Sequence, residues 1–264
     1  MQTSLDGLST KWLGRPYLCF EELGSTNDYV KENGAGLAHG TAVTARRQTA
    51  GKGRLGRQWS DFSEDEMPKS LALSALFKPP SVHHTQGLPF VCALAVSAAL
   101  SRLAGSNADI GIKWPNDIVL NGKKVCGILC EGAVRAHPFA VCGIGMNLTQ
   151  EAEEFTRLGL PWATSLCAEG FARHEPDEAA ALILNALEGY YERLISEGLI
   201  PLLREYKTAC ITLGREVRVI IGGDTREGLA EDMDEAGALL VRTPGGLLTV
   251  NAGEASVRGL YGYV

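Results

Sequence analysis

No run in this 264-residue chain approaches the ~18 apolar residues of a membrane span, so no transmembrane helix is expected. Residues 1–10 lack the basic and apolar regions of a signal peptide. Cysteines are few and unpaired in pattern. There are seven (Cys19, Cys92, Cys126, Cys130, Cys142, Cys167, Cys210), with no Cys-x-x-Cys pair, which excludes a disulfide framework and points to reduced core thiols in a cytoplasm. Cys126 and Cys130 stand four apart in a strand-like run without a nearby histidine, a poor metal site. Basic residues are outnumbered, 25 to 31, and the net charge of −6 argues against a dedicated nucleic-acid binder. Internal repeats and low-complexity linkers are missing too.

What remains is a soluble globular composition, 45% hydrophobic and 21% charged, long enough for one large domain and a small one. Against the acidic background one segment is strongly positive. Between Arg46 and Ser60 lie five cations (Arg46, Arg47, Lys52, Arg54, Arg57), three glycines (Gly51, Gly53, Gly56) and no acid. Glycine carries the largest backbone entropy, so a Gly-x-Gly-x-x-Gly run without apolar periodicity reads as a mobile loop awaiting an anion. Arginine forks and freed backbone N–H groups suit a phosphate, and Trp59 adds a flat apolar face. The spacing is not that of a P-loop, because Lys52 follows the first glycine, and a dinucleotide fingerprint would open directly into a helix. Composition alone leaves a solvated basic loop as an equal reading. The acidic stretch Asp61 to Glu66 that follows is expected in solvent.

In chain order, Tyr17 to Leu23 has strand character and runs into Ser25-Thr26-Asn27-Asp28, a capping sequence for a helix through about Asn33. The same polar groups could face a ligand at that helix N-terminus. A strand from Thr41 to Arg46 delivers Gln48 and the basic loop, and Ser70 to Phe77 is another strand. Leu88, Val91, Cys92, Ala95, Val96, Ala99, Leu100 and Leu103 recur at three and four, the stripe of a buried helix. Lys113-Trp114-Pro115-Asn116-Asp117 joins two strands. Residues 118–125 form a hairpin turning at Asn121-Gly122, with Lys124 on the face of Cys126 unless a bulge intervenes. From local sequence, Lys124 reads first as an edge charge and second as a ligand contact. Residues 140–148 are a buried strand whose glycines leave room for something flat, and Asn147 ends it with an amide that suits an adenine edge. A helix from Pro176 to about Ile195 closes the large domain. From about Leu213, short β-rich runs between glycine turns predict a small antiparallel barrel.

Taken in order, Ser25-Thr26-Asn27, the loop Gly51-Lys52-Gly53-Arg54-Leu55-Gly56-Arg57-Gln58-Trp59-Ser60, Lys113-Trp114-Pro115-Asn116-Asp117, Lys124, Gly127-Ile128-Leu129 with Glu131, and Gly143-Ile144-Gly145-Met146-Asn147 resemble the bacterial-type biotin protein ligases. The likeness covers nearly the whole chain, and the ordered conjunction is specific where no single motif is. It implies an α+β catalytic domain related to class II aminoacyl-tRNA synthetases over residues 1–212, a mixed sheet flanked by helices, and an SH3-like C-terminal domain over 213–264. It implies formation of biotinyl-5′-AMP from biotin and ATP with Mg²⁺, then transfer of biotin to one lysine of a biotin carboxyl carrier protein. By motif match, Ser25, Thr26, Asn27, Gln48, Lys52, Gly53, Arg54, Lys124 and Gly127 contact biotin. Arg54 and Lys124 are the catalytic cations, and Arg57, Trp59, Lys113, Asp117 and Asn147 serve the nucleotide. Magnesium would ride on the ATP phosphates, with Asp117 as the candidate protein ligand. The resemblance allows a homodimer. It implies no DNA partner, since the chain lacks the roughly 60-residue winged helix-turn-helix of the family's repressors, and no membrane.

Two departures stand out. Lys52 occupies a position where the family usually has arginine, keeping the charge without the bidentate fork, and the acidic stretch after the loop replaces a short turn. A lipoate ligase or octanoyltransferase of the same superfamily is the competing reading, against which the Gly-x-Gly-Arg-x-Gly-Arg loop and Lys-Trp-Pro-Asn-Asp weigh. The chemistry suits the implied reaction: biotin's carboxylate is itself the nucleophile, so the protein has to juxtapose two anions and stabilise charge at the α-phosphorus.

Overall fold

The computed structural model describes residues 3–59, 67–133, 139–252, 255–259 and 263. Seven strands make one mixed sheet in the order β1-β2-β3-β7-β6-β5-β4. They are β1 (Tyr17–Leu23), β2 (Ala42–Gln48), β3 (Ser70–Phe77), β4 (Ile110–Lys113), β5 (Asp117–Leu120), β6 (Lys123–Ala133) and β7 (Phe139–Asn147). Only β1 and β2 run parallel, linked by the crossover helix α1 (Thr26–Asn33); every other neighbouring pair is antiparallel. Strand β3 is buried along its whole length, as its unbroken small and apolar sequence requires.

The helix α2 (Val82–Ala104) carries the predicted stripe and lies against the sheet and against α4 (Pro176–Glu197). Contrary to the expectation from its sequence, it is long and apolar enough by composition to cross a membrane, yet most of that window is buried inside the protein. It is a core helix. Between β7 and α4 a short helix α3 (Ala152–Arg157) opens with a capping box between Glu151 and Glu154, and α5 (Leu199–Ala209) follows α4 directly. Helix α5 buries one more apolar face through Leu202, Leu203 and Tyr206. Glu188 on α4 accepts the backbone N–H groups of Lys11, Trp12 and Leu13 at 2.7, 2.9 and 2.8 Å, anchoring the N-terminal segment.

Beyond α5 a second, antiparallel sheet has the order β11-β10-β9-β8-β12. Its strands are β8 (Glu216–Ile221), β9 (Asp224–Met233), β10 (Leu239–Thr243), β11 (Gly246–Val250) and β12 (Ala255–Gly259). Its inward residues Val217, Val219, Leu239 and Val241 belong to the same continuous apolar core as Leu88, Trp114 and Tyr206. Trp114 ties the two sheets together: its indole Nε1 donates to the Gly237 carbonyl at 3.1 Å and its backbone N–H to Thr212 Oγ1 at 3.0 Å.

One register expectation is corrected. The pairing of β5 with β6 shifts between Ile118 and Val119, so that Val119 opposes Lys124 while Ile118 opposes Cys126. The bulge places Val125 and Cys126 both in the core and returns Lys124 to the same face as Gly127. Regular alternation would have sent Lys124 toward the side occupied by Cys126.

Candidate functional site

One cavity of about 550 Å³ opens over the face of the main sheet away from α2. That is ample room for a drug-sized ligand. All fourteen residues singled out from the sequence line it, which a solvated basic loop and a merely edge-exposed Lys124 would not have done.

Its polar end is built at the start of α1. Ser25 is the N-cap, with extended backbone and a hydroxyl accepting from Asp28 N, and it also borders the cavity, so the capping and ligand-facing readings hold together. Gln48 Oε1 accepts from the backbone N–H and the hydroxyl of Thr26 at 2.8 and 3.1 Å. Ser74, buried on β3 and missed in the sequence, donates to Thr26 Oγ1 or to Asn27 Oδ1, at 2.8 and 2.6 Å. Asn27 Nδ2 donates to the Leu129 carbonyl at 3.2 Å and to Glu131 Oε2 at 2.9 Å, and Lys31 pairs with that same carboxylate. Gly143 makes the fit possible, because a β-carbon there would overlap the Asn27 amide. The result is a preset array of buried donors and acceptors.

The cationic end is shared by the loop, the Lys113–Asp117 join and β6. The loop has its own small ladder: Lys52 bridges to Gln58, Gly53 N donates to Arg57 O at 2.7 Å, and Trp59 N to Gly51 O at 2.9 Å. Lys52 Nζ lies 2.6 Å from Asp28 Oδ2, an acid that the expectation of a free, unpaired loop had overlooked. Leu55 turns the loop with a φ of 55° and stays exposed. Arg54 reaches inward, donating to Asn116 Oδ1 at 2.8 Å and to the carbonyl of Ala252, which follows β11. Burial pulls its pKa down, with Asp117 opposing the shift. Something flat does fill the room left by the glycines, and it is the indole of Trp59: β-carbons at Gly145 and Gly127 would lie 2.5 and 3.0 Å from its ring.

Lys124 is gripped at both backbone groups by a segment that follows α3. Its N–H donates to the Trp162 carbonyl and its carbonyl accepts from Thr164 N, each at 2.8 Å. Its ammonium pairs with Asp117 Oδ1 at 2.6 Å and lies 5.6 Å from the Trp59 ring centroid. Partial burial of Asp117 would raise its pKa, but the Lys124 ammonium and the Tyr263 hydroxyl, 2.5 Å from Oδ2, outweigh that and hold it below the carboxylate range. Lys113 is pushed down to about 8, by burial first and by Lys124 among its neighbours, with Asp117 opposing. Its Nζ sits 3.6 Å from the ring centroid of Tyr263, a tail residue that no sequence signal marked.

Two asparagines also stand at the site. Asn147 borders the cavity but is buried, with Nδ2 donating to the Thr164 carbonyl at 2.9 Å and Oδ1 accepting from Gln150 Nε2 at 3.4 Å, so its amide also holds a turn. Asn116, unnamed among the expected contacts, is the one that joins Arg54 to the strands, through Nδ2 to the Ile128 carbonyl at 2.7 Å. The acidic stretch of residues 61–66 lies outside the described residues.

Residues 19–147 match the model of the biotin/lipoate A/B protein ligase family, and residues 212–258 that of the biotin protein ligase C terminal domain. A biotin–acetyl-CoA-carboxylase ligase of Mycobacterium tuberculosis is 33% identical over 260 residues, spanning 96% of this chain and 92% of its own. Its counterpart in Paracoccus denitrificans is 32% identical over 242 residues, 89% of this chain and 98% of its own. Among solved structures, the biotin protein ligase from Aquifex aeolicus in complex with biotin and ATP superposes with a TM-score of 0.77 at 27% identity, covering 92% of this chain and 98% of that one.

Proposed function

The chain belongs to the biotin protein ligase family, and on that footing we propose that it joins biotin to ATP as biotinyl-5′-AMP and passes the biotin to a lysine of a biotin carboxyl carrier protein. The observation that carries this reading is the meeting, in one cavity, of a hydrogen-bonding end (Ser25, Thr26, Asn27, Gln48) and a cationic end (Arg54, Arg57, Lys113, Lys124). Biotin has the matching ends: a ureido group with two N–H donors and one carbonyl, and a carboxylate. ATP brings the second anion.

In the first step the biotin carboxylate attacks the α-phosphorus, and pyrophosphate leaves with the electrons of the broken P–O bond. Arg54 and Lys124 supply fixed positive charge to the crowded oxygens, and both are already oriented by protein partners, so little reorganisation is needed as charge builds. Lys113 and Arg57 add attraction for the nucleotide phosphates. Trp59 lies over Gly127 and Gly145 with the Lys124 ammonium near its ring, a flat wall against which a ligand would pack. In the second step the carrier's amine attacks the carbonyl of the mixed anhydride and AMP departs.

The magnesium that accompanies ATP finds a poor ligand set in the chain itself. Asp117 is the one acid among the described lining residues, and its two oxygens face Lys124 and Tyr263. The residues present fit phosphates and not a bare dication, so Asp117 is better read as the group that orients Lys124. The division at residues 1–212 and 213–264 is part of the same proposal, with the second unit reaching the site through Ala252 and Tyr263.

Lipoate is the discriminating substrate. Pyrophosphate release from ATP should start on adding biotin and stay at background with lipoate; release driven by lipoate alone would move the chain to the other branch of the superfamily.

A further inference from the structure

Three cysteines that the ligase reaction leaves unused meet under the cavity floor. Cys130 on β6 and Cys142 on β7 are paired directly across the two strands, with Sγ atoms 3.1 Å apart. Cys92, from α2, brings its own sulfur to within 4.8 Å of both. Cys92 and Cys142 are fully buried and Cys130 is half-buried, the most accessible of the three.

Such a trio could hold a soft metal or lose two hydrogens to form a disulfide, and charge decides between them. Among the described residues, the charged side chain acting on the trio is Glu131, an acid. Three thiolates around a divalent ion would therefore leave a net negative charge in an apolar layer, and Lys31, the cation beside Glu131, is already paired with that carboxylate. A disulfide is neutral, and it needs the two nearest sulfurs to close by about 1 Å, to a bond of about 2.05 Å.

We propose that Cys130 and Cys142 are an oxidisable pair that closes to a disulfide across β6 and β7 when the protein meets a peroxide. In the first half, the Cys130 sulfur takes one peroxide oxygen, becoming a sulfenic acid while the other oxygen leaves as water. In the second, the Cys142 sulfur displaces that hydroxyl, which departs with the Cys142 proton as a second water. Two thiols lose two electrons, and the O–O bond accepts them.

The bond would form on the back of the same stretch that holds Asn27. Leu129 and Glu131, flanking Cys130, accept from Asn27 Nδ2, and Gly143, next to Cys142, makes room for its amide. Drawing the strands together beneath Asn27 should loosen the polar end of the cavity and leave the cationic end alone. This consequence rests on the ligase reading above; the bond itself does not.

The test uses the reduced full-length protein, hydrogen peroxide, quenching and alkylation in denaturant. Alkylatable thiols should fall from the seven present to five, and peptide mapping should find Cys130 joined to Cys142. Cys142→Ala should lose the bridge, and Cys92→Ala should keep it. Seven free thiols after peroxide, a bridge that uses Cys92, or stoichiometric zinc in the purified protein with all three thiols shielded would each overturn the proposal, whatever the ligase activity. Oxidation should then raise the KM for biotin several-fold with the KM for ATP unchanged, an effect that dithiothreitol reverses. A mapped bridge with no such change would confine the proposal to the bond and sever its link to Asn27.

Discussion

Arg54 and Lys124 enter the cavity from different elements, and each is already fixed by a neutral or acidic partner that a substrate anion would join. Neither fills the core, so Arg54→Ala and Lys124→Ala should fold normally and still lose at least ~100-fold in adenylate formation, the usual cost of removing a group that stabilises developing charge. Circular dichroism and pyrophosphate release read the two halves of that prediction; near-normal rates would take these residues out of the mechanism. Lys113 supplies a pH dependence. Burial favours its neutral form, so its ammonium is present below about pH 8 and lost as the pH rises through that value. The kcat/KM for ATP should therefore decline above about pH 8, and Lys113→Arg should move the decline upward because guanidinium stays charged. A wild-type profile flat to pH 9 would contradict it. At this scale much was legible in the residues: the loop cations and the Ser25-Thr26-Asn27 cap announced themselves by composition. Lys124 did not. Its local sequence favoured an exposed edge, and only the bulge and its clasp by Trp162 and Thr164 turn it inward. Tyr263 and Ser74 carried no signal either, since a hydroxyl's role depends on which distant carboxylate or amide the fold brings to it.

Among the elements, β7 shows how a strand can be shaped for what lies on it. Gly143 accommodates Asn27, and Gly145 accommodates Trp59. Replacing Gly143 with alanine would drive a β-carbon into the Asn27 amide and break the network with Ser74, Leu129 and Glu131. The expected outcome is a KM for biotin raised at least tenfold, with the KM for ATP near its normal value, about 1.4 kcal/mol or more of lost binding. Equal losses for both substrates would mean that the strand itself had been displaced. The sequence foretold that something flat would approach these glycines, because missing side chains are visible in a sequence. It could not tell that the flat group is the chain's own Trp59, since residues 59 and 145 become neighbours only when β3 inserts between β2 and β7. The loop shows a complementary limit. Its cations suggest a segment without partners of its own, whereas Asp28, in the first turn of α1, pairs with Lys52 across 24 residues of sequence.

For the whole molecule, the two sheets share one apolar core and a tryptophan that donates across their junction. Such a junction is no flexible tether. Truncation before Leu213 should expose the Trp114 and Tyr206 surroundings as well as remove the Ala252 and Tyr263 contacts, so the shortened chain should lose both thermal stability and ligase activity. A truncated protein with an unchanged melting temperature and full biotinylation would refute this. Beyond stability, biotin and ATP should react inside the one cavity where Arg54 and Lys124 meet. Purified protein incubated with biotin and ATP, with no carrier protein present, should retain one equivalent of biotinyl-5′-AMP, identified by mass spectrometry of the released ligand; Arg54→Ala and Lys124→Ala should retain little. Recovery of unreacted biotin and ATP from the wild-type protein, or an adenylate formed equally well by both variants, would contradict the account.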